Sequence, residues 1–463
     1  MLRNLIIHNI WAGLKSLRFM IALTGSILLF IASSIFFFKS HEQISADLHD
    51  QRIEHHRLVE ANVNHINSFA TTDFQVLCPI SVLMFMASGS NRQLPNAIQY
   101  NVFGIWKIDI LERTNFLLPF GIDIDWTFII GVILSFIAIT LSFDAVTGDK
   151  EAGHLRSVMA NSLPRSYFIL SKFISIGTII SLCLILGMLI SIFIISLDYP
   201  NILSGEVLLK IGGFVIVSAI YLSIWILIGL LISSLTHRSA ISLVVSLIVW
   251  IVLVLLIPNL GSLVAQSAYP IEPVKEVDQR AKIAADNVSK EYEKVWWGCF
   301  GYDFSQPCFK GKAEMYNKYN EVRLKIWEDH RNSQIHQAEI SRTWSQISPT
   351  ALYRNTGANI ANVGLRRWLD FYNQVVRFRE ILFQFVQAKD AADPKSPHLI
   401  NSGEPWLYSW KPIDIREIPE FRYVEPSVGT LIQENLISVS ILLITNLILF
   451  SLVVVSFNRY DVR

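Results

Sequence analysis

Six segments of this chain are long, apolar and free of charge except near their ends. A bilayer core of about 30 Å needs roughly 20 apolar residues in a helix, and these segments meet or approach that length. They span 19–38, 126–143, 168–197, 209–234, 240–258 and 436–457. Because so many apolar residues cannot remain in water, the sequence predicts an all-α polytopic membrane protein with six transmembrane helices.

The composition supports the same interpretation. Hydrophobic residue types make up 52% of the 463 residues and charged types only 17%, whereas a soluble domain carries about a quarter charged residues. The mean hydropathy is +0.41. Since 39 Lys and Arg balance 38 Asp and Glu, the net charge of +1 gives no support for nucleic-acid binding.

The basic residues predict how the spans are oriented. Lys and Arg in short flanking segments stay in the cytoplasm. Here they lie before the first span, between the second and third, between the fourth and fifth, and at the chain end. They are Arg3, Lys15, Arg18, Lys150, Arg156, Arg165, Arg238, Arg459 and Arg463. Both termini, including the tail 458–463, and the segment 144–167 are therefore expected in the cytoplasm.

The first 18 residues carry apolar side chains at helical spacing, with Trp11 and basic residues beside them. This pattern is typical of an amphipathic helix that lies in the membrane interface. The alternative is a frayed start of the first span. We interpret the span 19–38 as retained, because no small-residue cleavage pattern follows it.

Two polar blocks, 39–125 and 259–435, are expected on the other side of the membrane. The first begins with a charged helical run, and the second contains helical stretches near 313–344 and 359–388. Together they predict one mostly helical extracytoplasmic domain. The apolar piece 76–87 is too short to span and contains a proline, so it is expected to be a buried or interfacial piece outside the membrane. Five tryptophans of the second block should be buried there: Trp296, Trp297, Trp327, Trp344 and Trp368.

Four cysteines are too few for a disulfide-dense scaffold. Cys299 and Cys308 flank a loop that contains Gly and Pro on the oxidising side, which predicts a disulfide between them. The alternative is two unpaired thiols. Cys78 and Cys183 are interpreted as small buried residues.

Known catalytic motifs do not occur in this sequence. It has no Gly-x4-Gly-Lys-Ser/Thr phosphate loop, no H-E-x-x-H and no G-x-S-x-G, so we predict no catalytic or metal site. The histidines His41, His49, His55 and His56 are interpreted as a hydrated helix face rather than as metal ligands. Ion-coupled transporters use charges inside their spans, whereas the charges here, Lys172 and Lys210, lie near span ends.

The polar segment FDAVTGDKEAGHLRSVMANSLPRSYF, residues 143–168, interrupts two of the apolar segments. Thr147 or Asp149 can cap a helix whose first turn holds Glu151, and Pro164 prevents its continuation. This predicts about three helical turns over 149–161, with Leu155, Val158 and Met159 as a small apolar contact. The residues alone leave two interpretations open: a connecting helix, or an element that fits a groove of a cytoplasmic partner.

The segment FDAVTGDKEAGHLRSVMANSLPRSYFILSKF resembles the signature between the second and third helices of type-2 ABC exporter permeases. His154 stands where that family commonly has Thr. The matching positions are Asp144, Gly148, Asp149, Lys150, Glu151, Gly153, Leu155, Pro164, Arg165, Ser171 and Lys172. Three further stretches are similar to a bacterial branch with enlarged outer loops: CPISVLMFMASGSNRQLP, SSLTHRSAISLVVSLIVWIVLVLLIPNLGSLVAQ and SPTALYRNTGANIANVG.

This resemblance implies a non-catalytic permease in the bacterial cytoplasmic (inner) membrane. Two cytoplasmic ABC ATPase subunits would hold ATP and Mg, and a second permease chain, identical or related, would complete the path. The ATPase would dock on a coupling helix, at Asp149, Lys150, Glu151, His154, Leu155, Arg156 and Met159. The outer domain would receive substrate, recruit an extracytoplasmic partner or cover the exit.

The sequence leaves three other functions open. A structural or mechanotransmitting anchor of an envelope complex would bind an ATPase without a translocation path. An ion-coupled secondary transporter would need charge within its spans, and a membrane enzyme would need a catalytic constellation outside the membrane.

Overall fold

The structure is a computed structural model that describes residues 2–79, 81–88, 97–108, 124–159, 164–293 and 303–459. Within these residues, six helical units are long and apolar enough to cross a membrane. They are Leu17–Asn62, Trp126–Glu151, Arg165–Ser196, Gly205–Leu235, Ser239–Ala268 and Val428–Arg459. These units contain the six predicted apolar segments almost completely, so the predicted polytopic helical architecture is confirmed.

The N-terminal third of the chain begins with two helices. Helix α1 (Leu2–Leu14) packs along the third span, where the Ser175 hydroxyl donates to the Ile6 carbonyl at 3.3 Å. Helix α2 (Leu17–Asn62) contains the first span and continues well beyond it without a break. The charged run 39–62 has no glycine or proline to end the helix, so the span extends into a polar stalk.

The second span is not a uniform α-helix. It consists of α4 (Trp126–Phe128), a π-helical segment (Ile129–Leu134) and α5 (Ser135–Ser142). Trp126 is fully buried at its start, and its indole N–H donates to the Ser191 hydroxyl at 3.0 Å. Buried polar groups in a membrane need such internal partners.

The short helices α6 (Thr147–Glu151) and α7 (His154–Met159) follow the second span. The third and fourth spans are α8 (Arg165–Ser196) and α9 (Gly205–Leu235). The fifth span combines α10 (Ser239–Trp250), a second π-helical segment (Ile251–Leu256) and α11 (Ile257–Ala268).

Outside the bundle lies a domain built from both polar blocks, which we call the polar domain. It contains the helices α3 (Ile66–Thr71), α12 (Val274–Glu291), α13 (Pro307–Ser345), α14 (Pro349–Ile360) and α15 (Leu365–Ala391). The last span is α16 (Val428–Arg459), which returns from this domain to the bundle.

The polar domain also holds an antiparallel sheet that the sequence analysis did not predict. Its strands β1 (Phe74–Leu77), β2 (Ala97–Asn101) and β3 (Gly104–Ile108) lie in the order β1-β2-β3. Phe74 opposes Tyr100 and Val76 opposes Ile98. The piece 76–87 is not a span, because β1 is followed by a 3-10 turn in which Leu83, Met84 and Phe85 are buried.

The helical stretch predicted near 359–388 is divided in the structure. Helix α14 ends at Ile360, and α15 begins at Leu365 after a sharp reversal. Asn362 and Gly364 both have positive φ there, 49° and 78°. Only glycine and, less readily, asparagine adopt that conformation at low cost, which explains why the helix stops here.

Two large hydrophobic cores and one small one organise the described residues. The first fills the helix bundle, and the second joins α15, β1, β2 and α3 in the polar domain. The small core contains Phe309, Ala313 and Leu407. Trp368 is buried as predicted, whereas Trp344 is 51% exposed, so the prediction that it is buried was wrong. The predicted pair Cys299 and Cys308, and the tryptophans Trp296 and Trp297, involve positions 294–302, which lie outside the described residues.

Candidate coupling site

The polar segment after the second span folds as two short helices rather than the single helix predicted over 149–161. Helix α6 ends at Glu151, and α7 begins at His154. The break lies at Gly153, whose φ is +71°. A left-handed residue ends a helix and reverses its direction, so α7 leaves at an angle to α6. We call α6, the break and α7 (residues 147–159) the coupling segment.

Two adjacent charges of the coupling segment hold the junction between the fourth and fifth spans. The Lys150 ammonium donates to the carbonyls of Ser234 at 2.8 Å and Thr236 at 3.0 Å, at the C-terminal end of α9. Glu151 accepts bonds from the Ser239 N–H at 3.0 Å and the Ser239 hydroxyl at 2.6 Å, at the start of α10. Helix ends leave unsatisfied carbonyls and N–H groups, which attract a cation and an anion respectively.

Two more carboxylates connect this region to other helices. Asp149 pairs with Lys172 near the start of α8, at 2.8 Å. Asp144, in the turn before α6, pairs with Arg18 at the start of α2, at 2.7 Å. The polar side chains around the coupling segment therefore join the ends of four spans.

Hydroxyl groups complete the contact between the coupling segment and α9. The Ser233 hydroxyl accepts bonds from the backbone N–H groups of Val146 and Thr147, at 3.1 and 3.0 Å. Thr147 itself is fully buried. The Ser242 hydroxyl of α10 donates to the Phe143 carbonyl at 2.6 Å. These bonds satisfy the free N–H groups at the start of α6 and fix it on the bundle.

The residues predicted to dock a partner therefore divide into two groups. Asp149, Lys150 and Glu151 bind other parts of the same chain, while Leu155 is buried and Met159 is half-buried against the bundle core. His154 is exposed, together with Ala152 and Gly153 at the break. The Arg156 side chain lies outside the described residues. Residues 151–154 are thus exposed, and next to them Asp149, Lys150 and Glu151 bind the ends of three spans.

The serine hydroxyls and the Arg18–Asp144 pair that anchor this segment were not predicted from the sequence. Ser233, Ser239 and Ser242 look like ordinary small residues at span ends, and their partners are distant in sequence. A signal did exist, since SSLTHRSAIS joins two apolar segments through a polar turn. Among the described residues, no cluster of three or more His, Cys, Asp or Glu could hold a metal ion.

A family profile described as "ABC-2 family transporter protein" matches residues 4–462. The chain belongs to the ABC-2 family of transporter proteins. The match covers nearly the whole of this ABC-2 protein, including its coupling segment and its polar domain. The resemblance found in residues 143–172 is thereby confirmed at the level of the family. No curated protein matches this ABC-2 chain.

Proposed function

We propose that this ABC-2 protein is the membrane-spanning permease subunit of an ATP-driven exporter. Separate ABC ATPase subunits, in two copies on the cytoplasmic side, bind ATP and Mg and hydrolyse the nucleotide. A second permease chain, identical or related, completes the translocation path. The chain itself carries no catalytic residue in this proposal, and it resides in the bacterial inner membrane with its polar domain outside the cytoplasm.

One observation carries the proposal: the coupling segment has an exposed ridge next to charges that bind three different spans. Lys150 and Glu151 bind the ends of α9 and α10, and Asp149 binds α8. A partner that moves the ridge at residues 152–154 therefore pulls on several spans at once. A simple connecting loop would not need to bind both the end of α9 and the start of α10.

Exposed residues of the coupling segment and residues that bind the spans have different roles in this proposal. The exposed residues Ala152, Gly153 and His154 contact the ATPase, and Asp149, Lys150 and Glu151, which bind the spans, transmit its movement. Closure of the ATPase pair on ATP would then shift the bundle between two arrangements. If the two arrangements differ in free energy by a few kcal/mol, nucleotide binding is sufficient to shift the population from one to the other.

The first test places a bulky side chain on the ridge. Ala152→Trp should prevent docking but leave the bonds of Asp149, Lys150 and Glu151 intact, because Ala152 is exposed and makes none of them. We expect at least a tenfold loss of a co-expressed cognate ABC ATPase in co-purification, which corresponds to about 1.4 kcal/mol of binding free energy. Ala392→Trp, at an exposed alanine of the polar domain, is the matched control.

The outcomes separate the proposal from its rivals. If Ala152→Trp and Ala392→Trp retain the ATPase equally, the ridge is not the docking surface. If the unmodified chain binds the ATPase but nucleotide changes neither its conformation nor the ATPase rate, the chain is a structural anchor. Transport that persists without any ATPase would indicate an ion-coupled carrier instead.

A further inference from the structure

A cavity of the polar domain lies beside its sheet. It has a volume of about 500 Å³, which falls within the range of about 300–1,000 Å³ that ligand sites occupy. Strand β1 forms its floor, and the stalk of α2 and residues 415–421 contribute to its sides. The Gln75 amide of β1 donates to the Gln51 carbonyl of α2 at 3.3 Å, so the stalk runs close to the strand. We call this cavity the edge groove.

The edge groove follows the side of β1 that is turned away from β2. The strand order β1-β2-β3 places β1 at an edge of the sheet that the structure describes. All four residues of β1, Phe74–Leu77, line the groove. Because side chains of a strand alternate between the two faces of the sheet, a cavity that touches four consecutive residues reaches the edge of the strand. An edge strand directs half of its backbone N–H and C=O groups away from its neighbour, and these groups can pair with another chain.

Aromatic side chains form one wall of the edge groove. They are Phe74, Tyr100, Phe378 and Phe421. The ring centroids lie 6.0 Å apart for the first two, 6.2 Å for the second and third, and 5.4 Å for the last two. Aromatic rings pack favourably at such distances. The wall therefore offers a fixed apolar surface beside the strand edge, against which an aliphatic side chain can pack.

One polar atom in this wall has no partner. Tyr100 is only 4% exposed, and among the described residues no group forms a hydrogen bond with its hydroxyl. Burial raises the pKa of Tyr100 above its usual value. A buried polar group without a partner costs free energy. A ligand that brings a hydrogen-bonding group to this hydroxyl would remove that cost, whereas a purely apolar ligand would not.

The edge groove lies well beyond the apolar end of the first span. Helix α2 continues without a break to Asn62, and Gln51 is the first of its residues that line the groove. Gln51 follows the predicted span end at residue 38 by 13 residues, which is about 20 Å along the helix. The headgroup layer adds only about 5–8 Å on each side of the hydrocarbon core. A membrane lipid is therefore too distant, and the ligand comes from the aqueous phase.

We propose that the edge groove binds an extended segment of an extracytoplasmic partner protein, which adds a strand beside β1. Hydrogen bonds along the strand edge supply the affinity, and the aromatic wall selects apolar side chains at alternate positions. A polypeptide carries N–H and C=O groups at the spacing of a strand, so it matches this edge as a compact small molecule cannot. The partner is extracytoplasmic because the proposed function puts the polar domain outside the cytoplasm. Peptide binding itself can be measured without the ATPase.

The experiment measures the binding of a fluorescein-labelled hexapeptide to the full-length chain, purified in detergent, by fluorescence anisotropy. The peptide has valine at alternate positions, with glutamate and lysine between them for solubility. Since backbone bonds supply most of the affinity in strand addition, this generic sequence should bind saturably.

Two N-methylated isomers of the peptide are each other's controls. One carries N-methyl groups on the three valines and the other on the three remaining residues, so each isomer loses the N–H donors of one edge. Only one edge of the peptide can face β1. We therefore expect one isomer to bind at least about tenfold more weakly than the other, because it loses several backbone hydrogen bonds.

Two variants of the chain locate the bound peptide. Val59→Trp narrows the edge groove from the side of α2 and should abolish saturable binding, while Ile53→Trp, at an exposed residue of the same helix outside the groove, should keep it. Tyr100→Phe removes the unpaired hydroxyl. It should leave the thermal midpoint equal or higher, yet weaken peptide binding about threefold or more.

Several results would overturn the proposal. They are no saturable binding of the unmodified peptide, equal binding of the two N-methylated isomers, or equal binding by Val59→Trp and Ile53→Trp. Unchanged affinity in Tyr100→Phe would remove the hydroxyl from the site. In proteoliposomes that contain the ATPase, ATP-dependent movement of the peptide across the bilayer would identify it as cargo and overturn the assignment to a partner. Failure of an ATPase to co-purify contradicts the proposed function alone, because the peptide is measured on the isolated chain.

Discussion

At the level of single residues, the coupling segment depends on charges that sequence inspection would assign to a partner surface. Lys150 donates to carbonyls of α9, and Glu151 accepts from the start of α10, so the two side chains hold one turn of the chain from both sides. Hydrogen bonds to charged groups contribute about 1.5–3 kcal/mol in protected sites and less where water competes. Substituting these residues should therefore loosen the attachment of the coupling segment to α9 and α10.

Gly153 is the residue that sets the angle between α6 and α7. Its φ of +71° is costly for residues with a side chain, although a Cβ there would meet no atom within 4 Å. We expect Gly153→Ala to cost about 1–2 kcal/mol through backbone strain alone, seen as a lower thermal midpoint of the purified protein. The thermal midpoint of Gly153→Asn should lie between those of Gly153→Ala and the unmodified protein, because asparagine tolerates this conformation better than alanine.

Gly148→Ala is the matched control for that series. A Cβ on Gly148 would lie 3.8 Å from the Asp144 Cβ, an ordinary contact, and Gly148 lies inside α6. Alanine favours a helix over glycine by about 1 kcal/mol, so the midpoint should stay equal or rise. Equal thermal midpoints for Gly153→Ala and Gly148→Ala would show that the break does not depend on the left-handed conformation.

At the level of helices, the second and fourth spans are held together by a close approach at Gly229. A Cβ built on this glycine would lie 1.9 Å from the Ser142 hydroxyl and 2.8 Å from its Cβ. Small residues allow membrane helices to approach in this way. Gly229→Ala should force the helices apart at a cost of about 1–3 kcal/mol, measured as a lower thermal midpoint.

Two further variants make this prediction specific. Gly212→Ala lies on the same helix with no atom within 4 Å of the added Cβ, so it should leave the midpoint unchanged or raise it. Combining Gly229→Ala with Ser142→Gly should recover part of the loss, because the two side chains share one space. Additive losses in the double variant would argue against a direct contact.

The elements differ in how far the sequence predicted them. The spans were predictable because a bilayer requires long apolar helices whatever they pack against. The length of α2 beyond residue 38 follows from a charged run without breakers. The sheet was missed because β2 and β3 have five residues each. The division at Gly153 was missed because a glycine allows a positive φ but does not require it.

The candidate site was only partly predictable for a different reason. The pattern around Glu151 locates the coupling segment, but the partners of its charges are the ends of α9 and α10, more than 80 residues away. Likewise, Tyr353 belongs to a polar block of the sequence, and only the fold stacks its ring on that of Tyr221 in α9, with centroids 4.4 Å apart. Contacts between elements distant in sequence depend on tertiary packing, which local patterns do not contain.

At the level of the whole molecule, the coupling segment and the polar domain are attached to different ends of the spans, so the proposed function requires a fixed orientation in the membrane. The basic flanks predict that residues 152–154 face the cytoplasm. His154→Cys and Gln51→Cys, both at exposed positions, test this in a chain without its four natural cysteines. A membrane-impermeant maleimide should label only Gln51→Cys in intact cells and only His154→Cys in inverted vesicles. Labelling of His154→Cys from outside the cell would place the ridge beyond the reach of any cytoplasmic ATPase and contradict the proposed function.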